Sequence, residues 1–208
     1  MADEAVKIAK KLRQVSKFPI RLRVAWGAGV LERLLDGFSK YFRKTFRQDE
    51  ALELAWDYAL KGRDTPRRRH GLMDEIPELE NKAAQDGYGR EELLPVTFLL
   101  EEIDEQDGES VCVSVEYGAG AFINLGLYRS GYSLYATVPD DFPQSREVEF
   151  LRFAAECLEV AKQWGDKPIK RDFLSGVNLD FDAGSLKKKR PADKRVPKHE
   201  TAGAKGGR

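Results

Sequence analysis

The segment at 48–62, QDEALELAWDYALKG, constrains the fold more than any other part of the chain. Asp49 and Glu50 stand where the positive end of a helix dipole attracts carboxylates, and Gly62 suits the left-handed conformation that closes many helices. Between these ends, an apolar stripe at helical spacing comprises Leu52, Ala55, Trp56 and Ala59. Because small alanines flank the tryptophan, a neighbouring helix can approach closely. The segment therefore predicts a helix packed inside a helical domain.

The same spacing recurs along the chain and predicts a mainly α-helical, bundle-like fold. Further helical stretches are expected at 3–15, 20–46, 72–85, 95–104, 146–164 and 168–174. Residues 63–70 are expected to form a polar connection. Ser145 is the expected N-cap of the helix at 146–164. The expected inward face of that helix comprises Phe150, Phe153, Ala154, Cys157, Leu158 and Ala161. Gly27 and Gly29 interrupt the second stretch, which predicts either a kink or close contact with another helix.

Residues 110–138 fit two alternatives. Val111, Val113 and Val115 alternate with more polar neighbours, and this period of two is typical of a strand. Val111, Val115 and Ala119 also fall on one face of a helix. The local sequence leaves a helix and a small β-hairpin as alternatives.

The charges of the chain are unevenly distributed although they sum to zero. Residues 183–208 carry nine basic and two acidic side chains, a charge of +7. The preceding residues carry 26 basic and 33 acidic side chains, a charge of −7. From residue 183 onward, apolar residues no longer recur at a regular spacing. A segment that cannot bury apolar surface stays disordered. We therefore expect one helical domain at 1–182 and a disordered basic tail at 183–208.

Several features argue for a cytoplasmic protein. The N-terminal residues lack the apolar run and small-residue cleavage site of a secretion signal. No stretch approaches the roughly 20 apolar residues of a membrane-spanning helix. Cys112 and Cys157 are the only cysteines, and their spacing resembles neither a secreted disulfide framework nor a zinc site. We expect both thiols to be reduced.

The titratable residues do not form a recognisable catalytic motif. His70 and His199 are the only histidines, and a solvated loop position explains His70 more simply than a catalytic role. Two histidines do not supply a typical zinc site. We predict no catalytic residue, no cofactor and no metal site. An acidic cluster near the end of the helix at 95–104 supplies the candidate partner-binding residues, which are Glu101, Glu102, Asp104 and Glu105.

Two basic runs suggest contact with nucleic acid as an alternative. One comprises Arg67, Arg68 and Arg69, and the other is KKKR at 187–190 in the tail. Clustered arginines and lysines bind phosphate backbones without reading a base sequence. The body is acidic and carries no recognised nucleic-acid-binding motif, so this alternative ranks below protein binding.

Three short motifs follow one another along the chain: GVLERLL at 29–35, ALELAW at 51–56 and EFLRFAAE at 149–156. In this order they resemble the YjaG-like proteins, a group of small helical bacterial proteins of unknown function. Their layout is also similar to that of helical immunity proteins encoded beside polymorphic toxins. The resemblance covers residues 20–164, implies a helix rather than a hairpin at 110–128, and supplies no catalytic residues. The basic tail and the valine alternation depart from it.

The leading hypothesis is a non-enzymatic, intracellular binding protein. The resemblance implies an immunity protein that neutralises a toxin by protein–protein contact. An acidic body suits a basic toxin because complementary fields accelerate encounter and select partners. Two alternatives remain, namely a nucleic-acid-associated protein that uses the basic runs and an enzyme with a carboxylate-based site.

Overall fold

The computed structural model describes residues 2–39, 48–75, 90–129, 141–165 and 167–179. Most of these residues are helical, and none of them lies in a strand. In chain order the elements are α1 (Ala2–Leu12), a 3₁₀ turn (Arg13–Lys17), α2 (Ile20–Ser39), α3 (Gln48–Lys61), α4 (described over 66–75), α5 (Arg90–Glu105), α6 (Glu109–Arg129) and α7 (Asp141–Trp164). The prediction of a mainly α-helical fold is confirmed.

Helix α3 matches its sequence pattern at both ends. It begins at Gln48 and ends at Lys61, and Gly62 follows with a φ of 64°. That left-handed value is the closing conformation that glycine adopts without steric cost. The stripe that the sequence placed inside is buried throughout, and it comprises Leu52, Ala55, Trp56 and Ala59.

Helix α2 lies at the centre of the bundle and packs against α3, α5, α6 and α7. A Cβ atom on Gly27 would lie 2.7 Å from Val111 Cγ2 and 2.8 Å from Leu99 Cδ1. A Cβ atom on Gly29 would lie 2.6 Å from Leu174 Cδ1. Of the two alternatives, close contact is therefore confirmed, with other helices at Gly27 and with the turn segment that contains Leu174 at Gly29. The end of the predicted stretch, 40–46, lies outside the described residues.

Helix α6 resolves the ambiguous segment. Residues 110–129 are helical, so the hairpin alternative is wrong for this part, and residues 130–138 lie outside the described residues. The valine alternation at 111–115 resembled a strand because α6 is buried on more than one face. Val111 and Val115 face the core, and so do Cys112 and Ser114 between them. Ser114 Oγ donates to the Pro95 carbonyl oxygen at 2.6 Å, which satisfies its hydroxyl inside the protein.

By length and composition, α6 is also the one described helix that qualifies as a candidate membrane span, over Glu109–Leu127. In this window, 61% of the residues are buried inside the bundle. A core helix that is enclosed by its neighbours has the same apolar composition. The contacts of α6 with α2, α5 and α7 account for that composition.

Helix α7 begins earlier than its sequence signal. It starts at Asp141, so the N-cap assignment of Ser145 is wrong. Ser145 Oγ instead donates to the carbonyl oxygen of Phe142 within the first turn, at 2.8 Å. The predicted inward face is nevertheless buried in full, and it comprises Phe150, Phe153, Ala154, Cys157, Leu158 and Ala161.

Three other boundaries differ from the predictions. The supposed polar connection at 63–70 is helical from residue 66, and the described part of that helix continues to 75. Helix α5 begins at Arg90 and contains Pro95, which the sequence placed at its start. Residues 171–176 form turns in place of the short helix predicted at 168–174.

Except for Phe142, the buried apolar side chains of the described helices form one continuous cluster. Both cysteines lie within that cluster as free thiols, as the sequence predicted. The segment 167–179 packs on it through Phe173, Leu174 and Val177. The predicted basic tail at 183–208, and with it the domain boundary at 182, lies outside the described residues.

Candidate functional site

The acidic cluster at the end of α5 does not form one surface. Glu102 is completely buried, and its Oε1 accepts a hydrogen bond from Arg23 Nε at 2.8 Å. Its Oε2 accepts from the backbone N–H groups of Gly108 at 3.1 Å and Val111 at 3.3 Å. The assignment of Glu102 to partner binding is therefore wrong, because this carboxylate is a structural partner of Arg23 inside the protein.

Asp104 is held by two side chains of α4. It accepts a hydrogen bond from Arg69 Nη1, and its Oδ2 lies 3.1 Å from His70 Nε2. The hydrogen bond from Arg69 is the main cause that lowers the pKa of Asp104. Arg69 is only 1% exposed and also contacts Asp64 Oδ2, at 2.8 Å. Asp104 therefore joins α5 to α4.

The same contacts change the interpretation of Arg67, Arg68 and Arg69, the basic run that suggested nucleic-acid binding. Arg69 is buried between two carboxylates and does not reach a phosphate, so its assignment to nucleic-acid contact is wrong. Arg68 Nε donates to Glu50 Oε1 at 2.6 Å, which ties α4 to α3. His70 is exposed as predicted, but it lies on a helix and not in a loop.

Glu101 and Glu105, the other two members of the acidic cluster, take no part in the ion pairs of Arg23 and Arg69 described above. Glu105 is exposed and Glu101 is half-buried. Burial, together with the nearby charges of Glu105 and Asp104, raises the pKa of Glu101. A role for these two carboxylates in partner binding stays a prediction.

Neither cysteine is placed to act as a nucleophile. Burial raises the pKa of Cys112 to about 12, and it raises the pKa of Cys157 to about 12 as well. A thiol reacts through its thiolate, and such pKa values leave almost none at neutral pH. Both side chains therefore belong to the core.

A cleft between α2 and α3 brings together carboxylates that the sequence did not single out. It has a volume of about 220 Å³. Two of its carboxylates come from α2 and two from α3. The lining also includes the apolar side chains of Leu35 and Leu52 and the guanidinium of Arg171. The four acidic residues are Glu32, Asp36, Asp49 and Glu53. With Arg171 counted, the formal charge of the lining is −3.

Arg171 is held at this cleft by side chains of α2 and α3. Its Nε lies 3.0 Å from Glu32 Oε1, and its Nη1 lies 2.6 Å from Glu53 Oε1. Its guanidinium carbon lies 5.7 Å from the centroid of the Trp56 ring, within the range of a cation–π interaction. Burial alone would lower the pKa of Arg171, but its hydrogen bonds with Glu32 and Glu53 outweigh this and raise it. Two carboxylates and an aromatic ring thus hold one guanidinium.

The chemistry of the cleft is that of a cation-binding surface. Among the described residues, no group of three or more acidic, histidine or cysteine side chains has the geometry to hold a metal ion. Carboxylates that face a partly open cleft attract the ammonium and guanidinium groups of a ligand or partner. The arrangement therefore suits lysine or arginine side chains.

The sequence contains one signal for this cleft. Glu32 and Asp36 are four residues apart on α2, and Asp49 and Glu53 are four residues apart on α3. Like charges at this spacing share a helix face and repel each other, so each pair is unfavourable without a nearby cation. Only the packing of α2 on α3 shows that the two pairs and Arg171 meet.

Comparison of the chain with protein-family models, with curated proteins and with solved structures finds no match.

Proposed function

We propose that this chain is a non-enzymatic, intracellular binding protein that captures a basic protein. The observation that supports the proposal is the acidic cleft between α2 and α3, where Glu32 and Glu53 hold the guanidinium of Arg171. The proposed biological role is neutralisation of a basic toxin by an immunity protein, which is the role that the resemblance of residues 20–164 implies. The proposed site replaces the α5 cluster, since Glu102 is buried and Asp104 is engaged by Arg69.

Charge is the proposed basis of recognition. The acidic side chains preceding residue 183 outnumber the basic ones by seven, so a basic partner is attracted before contact. Asp49 and Glu53 are exposed at the cleft, where lysine or arginine side chains of the partner can reach them. Because the carboxylates lie on packed helices, little backbone freedom is lost on binding. Electrostatic complementarity then sets the association rate and the choice of partner.

The test is affinity purification from the native host with three versions of the chain. The native chain is compared with the double variant Asp49→Lys/Glu53→Lys and with Glu156→Lys, a charge reversal at an exposed position of α7. A basic protein should be retained by the native chain and by Glu156→Lys and lost from the double variant. With the purified pair, the difference in association rate should shrink as salt screens the charges. Equal retention by all three versions, or a difference unaffected by salt, would contradict the proposal.

An enzyme with a carboxylate-based site is the second candidate, because four carboxylates share the lining of one cleft. The variants Glu32→Gln and Glu53→Gln separate the two functions, since each keeps the size of the side chain and removes one charge. Capture through a distributed charge should weaken by a small factor in each variant. A catalytic carboxylate would instead lose activity almost completely in one of them while partner retention stayed unchanged. His70→Ala should leave capture intact, because His70 is not part of the cleft lining.

A further inference from the structure

A second concave surface lies between α1, α6 and α7. It has a volume of about 360 Å³ and opens to solvent. We call it the α1/α6/α7 groove, and it is lined by Ala5, Val6, Ala9, Glu116, Ala119, Glu147 and Leu151. It shares no residue with the cleft between α2 and α3.

The walls of the groove are apolar and mostly small. Three alanines, Ala5, Ala9 and Ala119, come from two different helices, and their short side chains leave room for an inserted group. Leu151 is buried and adds apolar contact area. Val6 stands at the edge of the groove and is 69% exposed, the largest exposed fraction of any large apolar side chain in the described chain. Val6 and the other apolar residues of the lining share one surface, and a shared apolar surface, unlike a single exposed side chain, suits a partner.

The charged residues of the groove all have one sign. Glu116, which is exposed, comes from α6, and the half-buried Glu147 comes from α7. The described lining contains no lysine or arginine. A ligand that fills the groove with an apolar side chain therefore gains most if it carries positive charges beside that side chain.

We propose that the α1/α6/α7 groove binds an amphipathic, basic helix of a partner protein. One apolar side chain of that helix is seated on Ala5, Ala9 and Ala119, and lysines or arginines one turn away contact Glu116 and Glu147. A groove formed between helices accommodates the ridge of another helix, whose side chains at i and i+4 share one face. A second copy that docks through the same groove is a poorer occupant, because it would place Glu116 and Glu147 against the same two glutamates. This inference does not depend on the cleft between α2 and α3.

The test measures binding of two labelled peptides to the full chain by fluorescence anisotropy. The first is an alanine-based helical peptide of about 15 residues with leucines at i and i+4 and lysines flanking them. The second replaces both leucines with alanine and keeps every charge. The native chain should bind the leucine peptide clearly more tightly than the alanine peptide. Equal binding of the two would mean that charge alone is responsible and would overturn the proposal.

Variants of the chain locate the binding site. Val6→Asp and the double variant Glu116→Lys/Glu147→Lys should each weaken binding of the leucine peptide by about tenfold or more. The control, Glu156→Lys, makes the same charge reversal on α7 outside the groove lining and should bind as the native chain does. Unchanged binding in the groove variants would overturn the proposal. Sedimentation of the native chain as a dimer that Val6→Asp dissociates would overturn it too, because a second copy would then cover the groove.

Discussion

Arg23 donates a hydrogen bond to Glu102 at 2.8 Å between Nε and Oε1, in the interior of the protein. The remaining nitrogens of Arg23 donate to the carbonyl oxygens of Ser16, Phe18 and Gln106. This pair consequently ties α2 to the 3₁₀ turn before it and to the turn between α5 and α6. Glu102 was predicted from the sequence to lie on the surface and bind a partner. It is instead buried, and its ion pair with Arg23 connects three parts of the fold.

Removal of one member of this pair should be strongly destabilising. Glu102→Ala leaves Arg23 buried without its carboxylate and leaves the N–H groups of Gly108 and Val111 without their acceptor. Breaking a buried ion pair in this way typically costs about 3–5 kcal/mol. Denaturant unfolding of the variant and of Glu105→Ala, an exposed control on the same helix, would measure the difference. A loss no larger than that of Glu105→Ala would contradict the structural role of Glu102.

Gly27 of α2 and Gly120 of α6 should respond in opposite directions to alanine. Gly27→Ala places a Cβ 2.7 Å from Val111 Cγ2 and 2.8 Å from Leu99 Cδ1, so these core side chains or their helices must shift and stability should fall. Gly120 lies in α6 with nothing within 4 Å of its Cβ position. Gly120→Ala should stabilise the protein by about 0.5–1 kcal/mol, because alanine loses less backbone entropy in a helix. Thermal melts of both variants provide the check, and melting temperatures that shift in the same direction would contradict this packing.

The contact between Arg69 and Asp104 should make stability depend on pH in the acidic range. Its hydrogen bond lowers the pKa of Asp104 in the folded state, so the stabilisation is present above the ordinary aspartate pKa and is lost as the pH falls through the lowered value. Asp104→Asn should therefore be less stable than the native chain at pH 7, and the difference should shrink towards about pH 3. Urea unfolding across this range, with Glu105→Gln as the exposed control, tests the expectation. A difference that is constant with pH would contradict it.

The two parts of the C-terminal region should differ in their effect on folding. A chain shortened after Phe181 loses mainly polar and basic residues and should melt at the native temperature. A chain shortened after Lys170 also loses Phe173 and Leu174, which are buried against Trp56 and Gly29. Each such side chain contributes about 1.5–3 kcal/mol, so this shorter chain should melt at a clearly lower temperature. Circular dichroism melts of both chains measure the difference, and destabilisation by the first truncation would show that the tail supports the fold.

The sequence alone predicted the helices that carry clear local signals. Helix α3 has polar residues at its ends, a closing glycine and a stripe at helical spacing, and each of these signals acts within a few residues of the chain. The inward face of α7 was predicted for the same reason, although its first turn was not. These features are local, so no knowledge of the neighbouring helices was required.

Tertiary structure decided the remaining features. Helix α6 is buried on several faces at once, which removes the polar side that would have distinguished it from a strand, and α2, α5 and α7 supply that burial. Tertiary structure also decided where the charged side chains lie relative to solvent. The sequence shows that Glu102, Arg69 and Glu32 are charged, but the first two lie in the core and the third lines the cleft. The position of a charged side chain relative to solvent depends on residues far away in the chain, because burial and ion pairing arise where separate helices pack together.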